Sequence, residues 1–240
     1  MKVLVATEKP FSKVAVDGIR NIVEGAGHTF AALEKYTDPS QLLAAVTDAD
    51  ALIVRSDKVT REVIAAAPNL KIVVRAGAGF DNLDLPACTE RGIVAMNTPG
   101  QNSNAVAELA IGMMIYISRN QFTPGTGSEL KGKTLGIQAY GNVGRLVASH
   151  AKSFGMKIMA FDPFVPAEAI KAEGVEVAAT LEELYEKSNF VSLHIPATEQ
   201  TKKSIGYNLL SRMPKGGCLV NTARKEVIHE EELVKVLTER

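Results

Sequence analysis

The segment that decides the fold is Leu135-Gly136-Ile137-Gln138-Ala139-Tyr140-Gly141-Asn142-Val143-Gly144-Arg145. It begins inside an apolar run, Thr134–Gln138, that is typical of a buried strand, and it leads into a helical pattern over Val143–Phe154. A second apolar run, Lys157–Phe161, comes next, and Asp162 follows it directly. Strand, glycine-rich turn, helix and strand in this order predict a βαβ unit of a parallel sheet.

The glycines and the acidic residue of this segment have the spacing of a dinucleotide-binding turn. Gly141 would let the backbone approach a pyrophosphate, and Gly144 would let the helix pack closely on the strand. The helix N-terminus offers free N–H groups and a partial positive charge to the phosphates. Asp162, eighteen residues after Gly144, would accept hydrogen bonds from ribose hydroxyls and repel a 2′-phosphate, which favours NAD over NADP.

Ala139 stands where this kind of turn usually has its first glycine. We expect the alanine to make the turn only with a negative φ, because its Cβ disfavours the left-handed region. The alternative is that Gly141 and Gly144 merely allow a tight turn in a nucleotide-free protein. The complete set of strand, helix and Asp162 favours the nucleotide site.

Short apolar runs alternate with helical patterns along the rest of the chain as well. The predicted strands are Lys2–Ala6, Ala51–Arg55, Lys71–Arg75, Ile93–Met96, Val175–Val177, Phe190–His194 and Cys218–Asn221. The predicted helices are Lys13–Gly25, Pro39–Thr47, Arg61–Ala67 (with Thr60 as N-cap), Leu85–Arg91, Asn104–Arg119 and Glu230–Thr238. This alternation predicts two doubly wound, parallel-sheet α/β domains of the Rossmann type. We place them at residues 1–99 and 100–240, because Pro99 and Gly100 mark a crossover.

Composition limits the classes of partner. Lys+Arg and Asp+Glu are both 27, so the net charge is zero and no overall basic field attracts nucleic acid or an anionic membrane. Cys88 and Cys218 have neither metal-ligand nor disulfide spacing, so we predict no metal site. The N-terminus reads as a strand rather than a signal peptide, and no apolar run reaches the ~18 residues of a membrane span. We expect a cytoplasmic protein.

Further motifs resemble those of the D-2-hydroxyacid dehydrogenases, in the same order and over nearly the whole chain. The motifs are Arg75-Ala76-Gly77-Ala78-Gly79-Phe80-Asp81-Asn82, Asn97–Ser103 followed by Val106-Ala107-Glu108, His194-Ile195-Pro196, and Leu219-Val220-Asn221-Thr222-Ala223-Arg224. One further segment is most similar to the phosphoglycerate dehydrogenase branch of that family. It reads Leu52-Ile53-Val54-Arg55-Ser56, with Lys58-Val59-Thr60 after it.

The resemblance implies hydride transfer between NAD and C2 of a D-2-hydroxy acid, and for that branch the oxidation of 3-phosphoglycerate in serine biosynthesis. Arg224 matches the catalytic arginine, whose planar guanidinium would grip the substrate carboxylate and polarise the 2-keto oxygen. The implied substrate-binding residues are Arg55, Ser56, Arg75, Ala76, Gly77, Ala78 and Asn102. The implied cofactor contacts are Ala78, Ala139, Gly141, Asn142, Val143, Gly144, Asp162, His194, Ile195, Thr222, Ala223 and Arg224.

Purely structural roles remain alternatives for the arginines and for the apolar helix. Arg224 could form a surface salt bridge, and Arg55 and Arg75 could be solvated charges at strand ends. The mostly apolar helix Asn104–Arg119 could be buried within one subunit or could contact a second copy. The family resemblance favours a homodimer.

The chain also departs from the family pattern. Lys225-Glu226 follows the arginine where the family commonly has Gly-Gly, and Ala78 stands where a threonine is frequent. The family's general acid/base, a histidine assisted by a glutamate, is expected beyond residue 240, as is the C-terminal part of the fold. We therefore expect the 240-residue chain alone to bind NAD poorly or turn over slowly.

Two other functions remain as alternatives. One keeps the enzyme class and changes the substrate to glyoxylate, hydroxypyruvate or lactate; a cationic pocket for a phosphate would discriminate. The other is a non-catalytic, NAD(H)-sensing binding protein on the same fold. A fold alone does not decide among them.

Overall fold

The computed structural model describes residues 1–239, and the chain divides into two compact units, Met1–Gln101 and Asn102–Arg240. Each unit has its own five-stranded parallel sheet and its own apolar core. The predicted fold class is therefore confirmed.

Unit 1 is a sheet of strand order β2-β1-β3-β4-β5. Its strands are β1 (Lys2–Thr7), β2 (Thr29–Glu34), β3 (Ala51–Val54), β4 (Ile72–Arg75) and β5 (Val94–Asn97). Its helices are α1 (Lys13–Gly25), α2 (Pro39–Ala45), α3 (Arg61–Ala66) and α4 (Leu85–Glu90). Thr60 caps α3 as predicted, since its side chain accepts a hydrogen bond from the N–H of Val63.

Strand β2 was not predicted. It lies at the edge of the sheet, paired only with β1, and none of its six residues is fully buried. Its apolar run, Phe30–Leu33, contains two alanines and no Val or Ile, so it lacks the β-branched residues that mark a strand.

Unit 2 has the strand order β10-β9-β6-β7-β8. Its strands are β6 (Thr134–Gln138), β7 (Lys157–Phe161), β8 (Glu176–Val177), β9 (Phe190–Leu193) and β10 (Cys218–Asn221). Its helices are α5 (Ser103–Ser118), α6 (Asn142–Ser153), α7 (Ala167–Ala172), α8 (Leu181–Lys187), α9 (Tyr207–Leu210) and α10 (Glu230–Glu239). The predicted strand bounds at Thr134–Gln138, Lys157–Phe161 and Cys218–Asn221 are confirmed, and most other bounds shift by one or two residues.

The core of unit 2 lies on both faces of its sheet. Leu135 and Ile137 of the central strand β6 are completely buried, in a cluster that also contains residues of α5 and α6. A second cluster joins Val191 and Leu193 of β9 to residues of α8 and α9. Burial on both faces makes the strands uniformly apolar.

The strand order fixes where a ligand can bind. In unit 2 the chain leaves β6 toward β7 and later crosses to β9 on the other side of β6, so the topological switch point lies between β6 and β9. In unit 1 the corresponding point lies between β1 and β3. Open parallel sheets bind ligands beyond the carboxyl ends of the strands at such points.

None of the helices within residues 1–239 is long and apolar enough to cross a membrane.

Candidate dinucleotide site and strand-end anion site

The glycine-rich turn after β6 leaves the start of α6 open to a ligand. Gly141 is the N-cap of α6 and supplies no side-chain cap, and the first helical bond runs from the N–H of Arg145 to the carbonyl of Gly141. The N–H groups of Asn142, Val143 and Gly144 therefore have no acceptor within the helix. A Cβ built on Gly141 would meet no atom within 4 Å, so there is free space above this turn.

Gly144 has the opposite surroundings. A Cβ at this position would collide with the carbonyl oxygen of Ala139 and lie 3.1 Å from Cγ2 of Ile137. The first turn of α6 is therefore packed directly on the turn that leaves β6, as the spacing of the glycines predicts.

The prediction for Ala139 is wrong. Its φ is +76°, in the left-handed region, rather than negative. The N–H of Ala139 donates to the carbonyl of Phe161, and its side chain packs against the buried cluster around Leu193. The neighbouring contacts therefore hold the alanine in a conformation that glycine adopts without strain.

Asp162 lies beyond the end of β7, where a ribose would be held. Its Oδ2 accepts a hydrogen bond from the N–H of Tyr140 at 2.8 Å, and Oδ1 accepts from the N–H groups of Phe164 and Val165 at 2.8 and 3.2 Å. Oδ2, which accepts a single hydrogen bond, offers a further lone pair for a ribose hydroxyl. The carboxylate thus also fastens the glycine-rich turn to the end of β7, a contact that the sequence analysis did not predict.

Tyr140 holds this turn through its buried side chain. Its ring is almost fully buried, and its hydroxyl donates to Oε2 of Glu173 at 2.8 Å. Arg145 forms an ion pair with the same glutamate and lies over the tyrosine ring, 5.1 Å from its centre. The cluster ties the turn, α6 and the end of α7 together.

His194 follows β9 and is held by its neighbours. Nε2 lies 2.9 Å from Oγ of Ser192, and Nδ1 lies 3.4 Å from Oγ1 of Thr222. Burial lowers the pKa of His194 to about 4, so the ring is neutral near pH 7. Ile195, the next residue, is buried in the apolar cluster that contains Leu193.

Arg224 lies at the end of the loop that leaves β10. Asn221 braces this loop: its Oδ1 accepts from the N–H of Ala223 and its Nδ2 donates to the carbonyl of Arg224, both at 2.9 Å. The guanidinium donates to the carbonyl of Ala223 at 3.1 Å. Asn221 is a residue that the sequence analysis quoted in a motif without a role; a polar side chain at a strand end is the only signal it gives.

Lys225 and Glu226, the departure from the family pattern, are exposed. Both line a cleft of about 460 Å³ just beyond Arg224, together with Lys203 and Glu231. Three lysines and three glutamates line this cleft, so their charges balance and the cleft does not favour an anion.

The strand ends of unit 1 bring four of the predicted substrate residues together: Arg55, Arg75, Ala76 and Gly77. Nε of Arg75 donates to the carbonyl of Arg55 at 2.9 Å, and the Arg75 guanidinium lies so close to Gly77 that a Cβ there would overlap it. The N–H groups of Ala76 and Gly77 donate to the carbonyls of Val54 and Arg75, both at 2.8 Å.

The described residues supply no acceptor for the N–H of Ala78, nor for those of Gly79 and Phe80. The carbonyl of Ala78 is held by Nδ2 of Asn97 at 2.7 Å. The N–H of Ala78, the residue after Gly77, can therefore donate to an anion, as can its two neighbours. Ser56 is exposed after β3, and Asn102 is exposed at the start of α5. Their predicted substrate contacts remain predictions.

The residues of unit 2 fit NAD. The unpaired N–H groups of α6 and the space above Gly141 suit a pyrophosphate, and Asp162 suits a ribose. No group of three or more possible metal ligands occurs within the described part of the chain.

Comparison with known proteins gives the same result. The family model "D-isomer specific 2-hydroxyacid dehydrogenase, NAD binding domain" matches residues 100–240. The chain belongs to this family. The predicted family and the predicted NAD cofactor are therefore confirmed.

Three relatives illustrate the range of this family. D-3-phosphoglycerate dehydrogenase of Methanocaldococcus jannaschii is 41% identical over 83% of this chain and 41% of the relative. Hydroxypyruvate reductase of Thermotoga maritima is 40% identical over 83% of this chain and 68% of the relative. The NAD⁺-bound crystal structure of 3-phosphoglycerate dehydrogenase of Entamoeba histolytica has a TM-score of 0.94 and 50% identity, over 100% of this chain and 77% of that one. The chain thus spans less than half the length of the M. jannaschii relative.

Proposed function

We propose that this protein is an NAD-dependent dehydrogenase that interconverts a D-2-hydroxy acid and its 2-keto acid, with 3-phosphoglycerate and 3-phosphohydroxypyruvate as the substrate pair. The proposal rests on the edge of the unit 2 sheet that the carboxyl ends of its strands form. There the open start of α6, Asp162 and Arg224 follow strands β6, β7 and β10 of one sheet.

Bound NAD would accept a hydride from C2 of the hydroxy acid. The chain's own residues would bind and orient the reactants: Arg224 would hold the carboxylate and polarise the C2 oxygen, and Ile195, Thr222 and Ala223 would line the nicotinamide side. His194 is unsuited to take the hydroxyl proton, because its pKa of about 4 makes it a weak base near pH 7 and both ring nitrogens have partners.

A phosphorylated substrate is favoured by the charges of unit 1. Arg75 lies against Gly77 at the strand ends, Arg55 is exposed beside it, and Lys58 follows in the same loop. Two of the three relatives above are named for 3-phosphoglycerate. Hydroxypyruvate remains the main alternative substrate, because the T. maritima relative is named a hydroxypyruvate reductase at nearly the same identity.

The proposal includes a homodimer formed through α5. Leu109, Tyr116 and Ile117 of this helix are 57%, 45% and 38% exposed, and Phe122 packs edge-on against Tyr116 just beyond the helix. Large apolar side chains grouped on one surface are typical of a protein interface. A second copy is the partner that the family resemblance favours.

The test follows NADH consumption by the full-length gene product with 3-phosphohydroxypyruvate, hydroxypyruvate, glyoxylate and pyruvate at equal concentration. We expect the phosphorylated acid to have the largest kcat/KM by at least tenfold. Preference for an unphosphorylated acid would move the assignment to that substrate. NADH binding without turnover of any of the four would favour the NAD(H)-sensing protein.

A further inference from the structure

A buried carboxylate lies at the centre of the strand ends of unit 1. Asp57 is only 4% exposed, although charged side chains are seldom buried without partners. Its Oδ1 accepts hydrogen bonds from the N–H of Glu8 and the hydroxyl of Tyr36, both at 2.7 Å. Its Oδ2 accepts from the N–H of Arg55 at 3.3 Å.

Asp57 therefore connects the ends of several strands. Glu8 follows β1, Tyr36 follows β2 and Arg55 follows β3. Nδ2 of Asn82, in the segment after β4, donates to the backbone carbonyl of Asp57 at 2.8 Å. Hence one residue joins the loops that leave four of the five strands at the ligand-binding edge of this sheet.

The two carboxylate oxygens serve different loops. Oδ1 holds the ends of β1 and β2, which carry none of the proposed substrate residues. Oδ2 holds the backbone of Arg55, whose carbonyl accepts Nε of Arg75, and that guanidinium lies against Gly77. A continuous chain of contacts thus leads from Asp57 to the Arg75 guanidinium over Gly77, the residue that precedes Ala78.

We infer that Asp57 is a positioning residue: through the backbone of Arg55 it holds the Arg75 guanidinium over Gly77, in the arrangement that receives the anionic group of the substrate. The substrate in this statement rests on the proposed function, whereas the ordering of Arg75 does not. A purely structural role would only stabilise the strand ends of unit 1.

Asp57→Asn tests the two oxygens separately, because asparagine has one oxygen and one NH₂ group. The oxygen should take the place of Oδ1, where it accepts from two donors, the Glu8 N–H and the Tyr36 hydroxyl. The NH₂ group then faces the N–H of Arg55, and that hydrogen bond is lost. Tyr36→Phe is the matched control, because it removes a donor to the same carboxylate and leaves the Arg55–Arg75 connection intact. Asp57→Ser, which has no carboxylate oxygen for the N–H of Arg55 and no NH₂ group opposed to it, is the second variant if Asp57→Asn fails to fold.

The first readout is the Nε–H resonance of Arg75 in protein labelled with ¹⁵N-arginine, assigned with Arg75→Lys. We expect a slowly exchanging signal in the wild type and in Tyr36→Phe, and a signal at the solvent-exposed position in Asp57→Asn. An unchanged Arg75 signal in folded Asp57→Asn or Asp57→Ser would overturn the inference, whatever the substrate is.

The second readout is kinetic and uses the full-length gene product. We expect Asp57→Asn to raise KM for the 2-keto acid at least tenfold while the Kd for NADH changes less than twofold, and Tyr36→Phe to change neither by more than threefold. Loss of the Arg75 signal with an unchanged KM would overturn the role in anion binding. A wild type that turns over no 2-keto acid would refute the proposed function, while the Arg75 signal would still decide the positioning role.

Discussion

Ala139 takes a left-handed backbone conformation at the first position of the glycine-rich turn. The cost is about 1–2 kcal/mol for a residue with a Cβ. The turn persists because Ala139 N–H and Tyr140 N–H are both hydrogen-bonded to the end of β7, at Phe161 and Asp162. The strain is therefore a local cost that the surrounding contacts offset.

Ala139→Gly should stabilise the protein. Relief of the strained φ outweighs the extra flexibility of glycine in the unfolded chain, so we expect a gain of about 0.5–1 kcal/mol in the free energy of unfolding, measured in urea. Ala44→Gly, at an exposed position in α2, should lose a similar amount because glycine lowers helix stability. A loss of stability in both variants would contradict the strain at Ala139.

His194 should make stability depend on pH. Its pKa is lowered from 6.5 to about 4 in the folded protein, so between these values the unfolded chain binds more protons. Stability is therefore fully present above about pH 6.5 and is lost as the pH falls toward 4, by up to about 3 kcal/mol.

Urea unfolding between pH 4 and pH 7 tests this, with His194→Gln as the comparison. The glutamine keeps a polar group near Ser192 and does not titrate, so its stability should fall less steeply with decreasing pH. Parallel curves for the two proteins would exclude His194 as the source of the dependence.

At the scale of elements, the start of α6 combines unpaired backbone N–H groups with open space, as an anion-binding site requires. The helix lacks a side-chain cap, and the space above Gly141 is open, whereas the space at Gly144 is filled by the preceding turn. The two glycines of one motif thus have different surroundings: Gly141 faces the open space proposed for the cofactor, and Gly144 allows close packing.

Gly141→Ala should weaken cofactor binding without unfolding the protein. Its added methyl group meets no protein atom and φ is already −84°, so we expect a stability change below about 1 kcal/mol. The methyl group would occupy the path of the pyrophosphate and raise the Kd for NADH about tenfold or more, ~1.4 kcal/mol, measured by calorimetry.

Gly18→Ala is the matched control for this substitution. Gly18 lies in the middle of α1 in unit 1 and also has no atom within 4 Å of an added Cβ. Alanine there should raise stability by about 0.5–1 kcal/mol and leave NADH affinity unchanged. Equal NADH affinity in Gly141→Ala and the wild type would place the pyrophosphate elsewhere.

At the scale of the whole molecule, the exposed apolar face of α5 predicts a dimer. Leu109→Glu would place a charge within that face, so we expect light scattering to give the mass of a dimer for the wild type and a lower mass for this variant. Val14→Glu, on an exposed position of α1 in unit 1, should remain a dimer. A monomeric wild type would refute the homodimer.

Most of the architecture could be predicted because central strands of parallel sheets are continuous apolar runs, as in β6 and β7. The edge strand β2 could not, since it is partly exposed and its apolar run, Phe30–Leu33, has no β-branched residue. The glycine-rich turn and Asp162 were found by spacing alone. The φ of Ala139 was predicted wrongly, because the hydrogen bonds that hold the turn come from the end of another strand.

The sequence by itself determined the fold class, the family and the NAD cofactor, because apolar periodicity and glycine spacing act over short stretches of chain. Only the tertiary structure decided the environment of single side chains: the neutral His194, the brace of Asn221 on Arg224, and the buried Asp57 that joins loops from four strands. The physical reason is that burial and hydrogen-bond geometry depend on which strand ends the sheet brings together, and residues far apart in sequence supply those partners.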